Sequence, residues 1–103
     1  MAAFNLFKPA DFNGEKERFE TLLQQGKVTI ERILSPAGTH SQVFVQSQDE
    51  WVCLLQGEAR LEMDDRQIRL KTGETLFIPA GTPHRVLHTS QHPTCIWLAV
   101  HIH

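Results

Sequence analysis

Residues 73–84 read Gly73-Glu74-Thr75-Leu76-Phe77-Ile78-Pro79-Ala80-Gly81-Thr82-Pro83-His84, and this stretch decides the fold. Gly73 marks a turn, Thr75–Ile78 has the β-branched and aromatic character of a short strand, and Pro79 ends that strand because proline cannot donate to a sheet ladder. Gly81 supplies a tight reversal, from which a second strand starts at His84. Units this short, turn to strand to turn, build all-β chains.

Working outward, the same rhythm recurs. After residue 27 no helical period is sustained, whereas eight apolar or alternating runs lie between turn signals: Val28–Leu34, Val43–Gln46, Glu50–Gln56, Ala59–Met63, Gln67–Leu70, Thr75–Ile78, His84–Thr89 and Cys95–Ile102. Ser35-Pro36-Ala37-Gly38, Gln56-Gly57, Asp64-Asp65, Thr72-Gly73, Pro79-Ala80-Gly81 and His92-Pro93 separate them. Ahead of them, Glu15–Gln25 places Phe19, Leu22 and Leu23 at helical spacing with Gly26 just beyond, which predicts a short amphipathic helix packed across a barrel. The expected organisation is one domain over 1–103, with an N-terminal segment 1–27 and a β-barrel 28–103.

Composition narrows the function. The 103 residues are 41% hydrophobic and 21% charged, ordinary for a folded domain and short of what two domains need. No apolar stretch approaches the roughly 20 residues of a membrane-spanning helix. Ten Lys+Arg against twelve Asp+Glu, intermixed, give a net charge of −2 and argue against nucleic acid as a partner. Residues 1–12 lack the basic opening and apolar core of a secretory signal, so a cytoplasmic location is expected. Cys53 and Cys95 form no CxxC pair and read as small buried hydrophobes. Trp51–Leu55 and Ile96–Val100 are apolar on both faces, which predicts that a second copy of the chain, or the N-terminal segment, covers the outer face. A homodimer is expected.

The spacing Gly73-x5-Pro79-x-Gly81-x2-His84 resembles the second motif of the cupin superfamily, and Glu50-x6-Gly57 is similar to the second half of its first motif. Together they cover residues 50–88. The resemblance implies a double-stranded β-helix, a small jelly-roll barrel. In that family a His-x-His pair precedes the glutamate, and with the histidine of motif two these side chains hold one metal inside the barrel. Ser41–Gln48 occupies the place of the pair and contains no histidine.

Glu50 and His84 are what remains of that set. Strand parity makes Val52 and Leu54 the inward companions of Glu50, and puts Val86 and His88 on the face of His84. His101, near the end of the last run with Trp97 and Ala99 on its face, is the candidate third ligand. Glu50, His84 and His101 would form a two-histidine, one-carboxylate set suited to iron, zinc or manganese, with water or Gln46 completing the shell. Gln46, Val52, Leu54, Val86 and His88 are the candidate ligand-contacting residues. His40, His92 and His103 read as loop or tail histidines. No GxSxG elbow or phosphate loop is present, and Asp64-Asp65 reads as a hairpin turn.

Two functions follow from the resemblance. One is a small cupin holding a divalent metal and acting on a small organic molecule, by oxygenation or isomerisation. The other is a non-catalytic cupin that has lost its metal site and binds a small ligand in its interior; the absent His-x-His pair favours it, whereas the retained Glu50 and His84 with a candidate third ligand favour the first, which is the leading expectation.

Overall fold

The turns fall where the sequence places them. Asp64 and Asp65 both take positive φ, 50° and 62°, the pairing of a two-residue hairpin turn that carboxamide and carboxylate side chains tolerate. Gly57 has a φ of 99°, and a Cβ built there would lie 2.7 Å from Cys95 Sγ, so both conformation and space demand glycine.

The protein is described here from a computed structural model covering residues 3–8, 12 and 14–103. Eight strands run in the order β1 (Arg18–Gln25), β2 (Val28–Ser35), β3 (Asp49–Gln56), β4 (Glu58–Met63), β5 (Arg66–Lys71), β6 (Thr75–Ile78), β7 (His84–Thr89) and β8 (Cys95–Ile102). They form two antiparallel sheets: five strands ordered β1-β2-β8-β3-β6 and three ordered β5-β4-β7.

Three expectations are corrected. First, there is no helix among the described residues, and Glu15–Gln25 supplies β1 instead. The register of β1 on β2 slips between Thr21 and Leu23, and this bulge lets apolar residues at helical spacing sit in a strand. Gly26, read as a helix cap, is half of the two-residue turn Gly26-Lys27 between β1 and β2, with φ 57°. The sheet therefore begins at Arg18 rather than Val28. Part of segment 1–27 lies outside the described residues.

Second, Val43–Gln46 forms no strand and contributes one bridge, Phe44 with His84. Its neighbourhood hangs on β7 through Gly38 N to Thr89 O, Ser41 N to Val86 O and Phe44 N to His84 O, all at 2.8–2.9 Å. Those contacts recur every third residue, whereas a ladder needs every second. The count of eight is met only because β1 replaces this run.

Third, the sheets do not close into a jelly-roll barrel. β1 and β6 remain edges of one sheet, β5 and β7 of the other.

The core lies between the sheets and contains Val52, Leu54, Ala59, Leu61, Leu70, Ile78, Cys95 and Trp97. Leu34 and Ile96 are as fully buried yet stand apart from it. They pair across β2 and β8 in the register that also pairs Arg32 with Leu98, so they belong to the outer face of the large sheet. There the N-terminal segment is pinned down: the buried Arg32 guanidinium donates to Asn5 O and Leu6 O and lies 4.6 Å from the Phe4 ring centroid. No helix among the described residues is long and apolar enough to cross a membrane.

Candidate functional site

Strand alternation sends Glu31 and Ile33 of β2, Glu50 and Val52 of β3, and Trp97 and His101 of β8 toward the space between the sheets. Leu61 of β4 and His84 and Val86 of β7 meet them from the other side. With Phe19, Glu17, Phe44, Gln46, Ile78 and Arg85 they line a cavity of about 110 Å³. Its body is apolar and aromatic, and its polar groups gather around two imidazoles.

His101 Nε2 donates to Glu31 Oε1 at 2.9 Å, while Gln48 Nε2 lies 3.2 Å from its Nδ1. The hydrogen bond to Glu31 raises the pKa of His101 above the ordinary histidine value, against the opposing effect of burial. His84 donates from Nδ1 to Thr82 O at 2.9 Å, which leaves Nε2 facing Glu50 Oε1 at 3.8 Å. Glu50 is 7% exposed. Burial pushes its carboxyl upward, only partly offset by His101 and His84 and by a hydrogen bond from Gln46. Gln46 Oε1 is buried and has no hydrogen-bond partner among the described residues. Trp97 Nε1 donates to the buried Ser35 Oγ at 3.0 Å, and Ser35 Oγ donates to Glu17 Oε2 at 2.7 Å. Arg85 is turned to Glu62, Nε to Oε1 at 3.0 Å.

Of the residues singled out from sequence, Glu50, His84, His101, Gln46, Val52 and Val86 share this cavity. Leu54 is fully buried in the core and does not line it. His88 is exposed on the opposite face. The reason is a bulge: Arg60 pairs with His88 but Leu61 with Val86, so Leu87 is an extra residue that inverts the alternation. His40 Nδ1 meets Leu87 O at 3.1 Å, away from the site. The two thiols are unpaired: Cys95 is buried, and burial raises the pKa of Cys53.

Glu31, Gln48 and Glu17 escaped the sequence reading. For Glu31 the signal was misleading, because in Val28–Ser35 the face carrying Ile30, Arg32 and Leu34 is the more apolar and reads as inward. The N-terminal segment, not the core, covers that face.

The metal expectation is corrected as well. Among the described residues no group of three or more His, Cys, Asp or Glu is arranged to hold a metal ion. The donor chemistry agrees, since His101 Nε2 is already bonded to Glu31 and His84 offers one free nitrogen. Divalent iron, zinc or manganese therefore does not fit the Glu50, His84 and His101 set as it stands.

A profile described as Cupin domain matches residues 31–101. No curated protein matches the chain. Among solved structures, a candidate mannose-6-phosphate isomerase from Ralstonia eutropha JMP134 is 34% identical, with a TM-score of 0.89 over 99% of this chain and 98% of that one. The TT1209 protein of Thermus thermophilus is 25% identical with a TM-score of 0.84, covering 99% and 97%. An RmlC-like cupin from Desulfovibrio desulfuricans, 22% identical over 99% and 96% with a TM-score of 0.82, is similar in fold.

Proposed function

From the premise that this chain belongs to the cupin family, we propose that it is a metal-free binding protein for a small organic molecule with an apolar body and a hydrogen-bond-donating, preferably cationic, head. The observation that carries this reading is an unsatisfied buried acceptor in the cavity. Gln46 Oε1 has no donor among the described residues, and Gln46 bonds Glu50, which is buried with its carboxyl raised. A buried acceptor without a donor costs about 1–3 kcal/mol, which a ligand N–H or O–H recovers. The aromatic walls, Phe44 and Trp97, suit an apolar body and a nearby cation.

The charge of the lining supports the same head group. Glu17, Glu31 and Glu50 face Arg85, already engaged by Glu62, and two histidines. A phosphorylated sugar would bring two negative charges to those carboxylates. The isomerase named for the Ralstonia eutropha relative is therefore not the reading adopted. Two unpaired thiols accord with a reducing, cytoplasmic setting.

Benzylamine, benzyl alcohol and benzoate share one body and differ in the head, so their binding, followed by tryptophan fluorescence and calorimetry, tests the reading. Benzylamine should bind most tightly and benzoate least, Gln46→Ala should weaken benzylamine about five- to tenfold, and a chelator should change nothing. Preference for benzoate, or binding that only an added divalent metal elicits, overturns it.

A further inference from the structure

The bulge at Leu87 has a second effect on the outer face of the small sheet. By turning His88 outward it completes a row across all three strands: Arg69 of β5 stands opposite Arg60 of β4, and Arg60 opposite His88 of β7. All three side chains are exposed, and with Glu58, Ala59 and Ser90 they line a depression of about 110 Å³ on the surface away from the intersheet cavity. Like charges directly opposite on neighbouring strands oppose each other and weaken the sheet. Elsewhere on this face the pairs are complementary, Glu58 opposite Lys71 and Glu62 opposite Arg85.

Neither Arg60 nor Arg69 has an ion pair or side-chain hydrogen bond among the described residues, in contrast to Arg32 and Arg85. Ser90 is already committed, its Oγ donating to Pro93 O and accepting from Glu58 N. Two unpaired guanidiniums therefore present donors along this depression beside the His88 imidazole, with Glu58 alone bringing negative charge to its lining.

We propose that the Arg60, Arg69 and His88 row is a binding site for a dianionic oxyanion, the phosphate of a small phosphate monoester. A tetrahedral dianion placed between the two guanidinium forks accepts paired hydrogen bonds from each and relieves the opposition between them. A monovalent halide has neither the charge nor the oxygens to do so. The site is independent of the ligand taken by the intersheet cavity.

The test is a titration of the ¹⁵N-labelled protein with inorganic phosphate and with phenyl phosphate at constant ionic strength, sodium chloride being the control. Saturable shifts are expected at Arg60, Arg69 and His88, with both phosphates and not with chloride. Arg60→Gln and Arg69→Gln should each weaken phosphate binding about ten- to hundredfold. In phosphate-free buffer Arg60→Gln should melt above the wild-type protein, because it removes a like-charge pair. Because both positions are exposed, the variants should retain the wild-type circular dichroism, so lost binding reports on the site. Shifts that chloride reproduces at equal ionic strength, shifts confined to the intersheet cavity, or full affinity in Arg60→Gln overturns the proposal.

Discussion

Glu50 and His101 occupy facing positions of neighbouring strands, and burial and partnership move them in the same direction on the pH scale for different reasons. Burial holds the Glu50 carboxyl above its ordinary value of 4.5. Between that value and the raised one the folded chain binds a proton that the unfolded chain does not, so stability falls as pH rises through this window. Glu50→Gln should therefore raise the melting temperature at pH 7, and its advantage should disappear below pH 4.5, where both states are protonated. For His101 the cause is Glu31, which favours the imidazolium. The associated stability is fully present below the ordinary histidine value of 6.5 and is lost as pH rises through the higher folded value. Glu31→Gln should flatten that loss, as thermal melts from pH 5 to 9 would show. An unchanged profile would mean that the Glu31 contact does not set the titration.

At the scale of elements, each bulge and turn decides what a strand presents. Gly57 joins β3 to β4 with a backbone conformation that side chains rarely adopt, and Cys95 Sγ and Ser90 Oγ fill the space where a methyl group would go. Gly57→Ala should cost about 2–4 kcal/mol in urea unfolding, combining backbone strain with overpacking. The outer layer depends on Arg32, whose Nε donates to Glu20 Oε1 at 2.7 Å while its Nη1 holds the N-terminal segment. Arg32 also holds the Glu20 carboxyl below its ordinary value, so this contribution is present above pH 4.5 and lost as pH falls through the lower folded value. Arg32→Ala should cost about 2–3 kcal/mol at pH 7 and expose residues 4–7 to limited proteolysis. Intact protection would refute the clamp.

For the whole molecule, the remaining apolar surface is the issue. The N-terminal segment covers the Arg32 end of the outer face, but Trp51 stands opposite Phe77 across β3 and β6 and the two are 37% and 49% exposed. A second copy of the chain meeting this patch would bury both aromatic side chains, so a homodimer at micromolar concentration is the expected result of light scattering. Trp51→Glu should shift it to monomer. A monomeric wild-type protein would assign the patch another role.

Alternation and turn chemistry made most of the architecture legible. Pro79, Gly81 and the Asp64-Asp65 pair act on their own backbones, so the boundaries of β4 to β7 could be read locally, and parity along β3 placed Glu50, Val52 and Leu54 inward. What a residue faces across space was beyond such reading. Phe19, Leu22 and Leu23 satisfy a helix or a bulged strand equally, and the hydrogen-bonding edge of β2 decides between them. One extra residue at Leu87, unmarked in sequence, moved His88 from the cavity to the outer surface. Glu31 and Gln48 became neighbours of His101 through pairings 70 and 53 residues apart. Local backbone preference is written in consecutive residues; the partners that engage an imidazole, or leave Gln46 without a donor, are fixed only when distant strands are brought together.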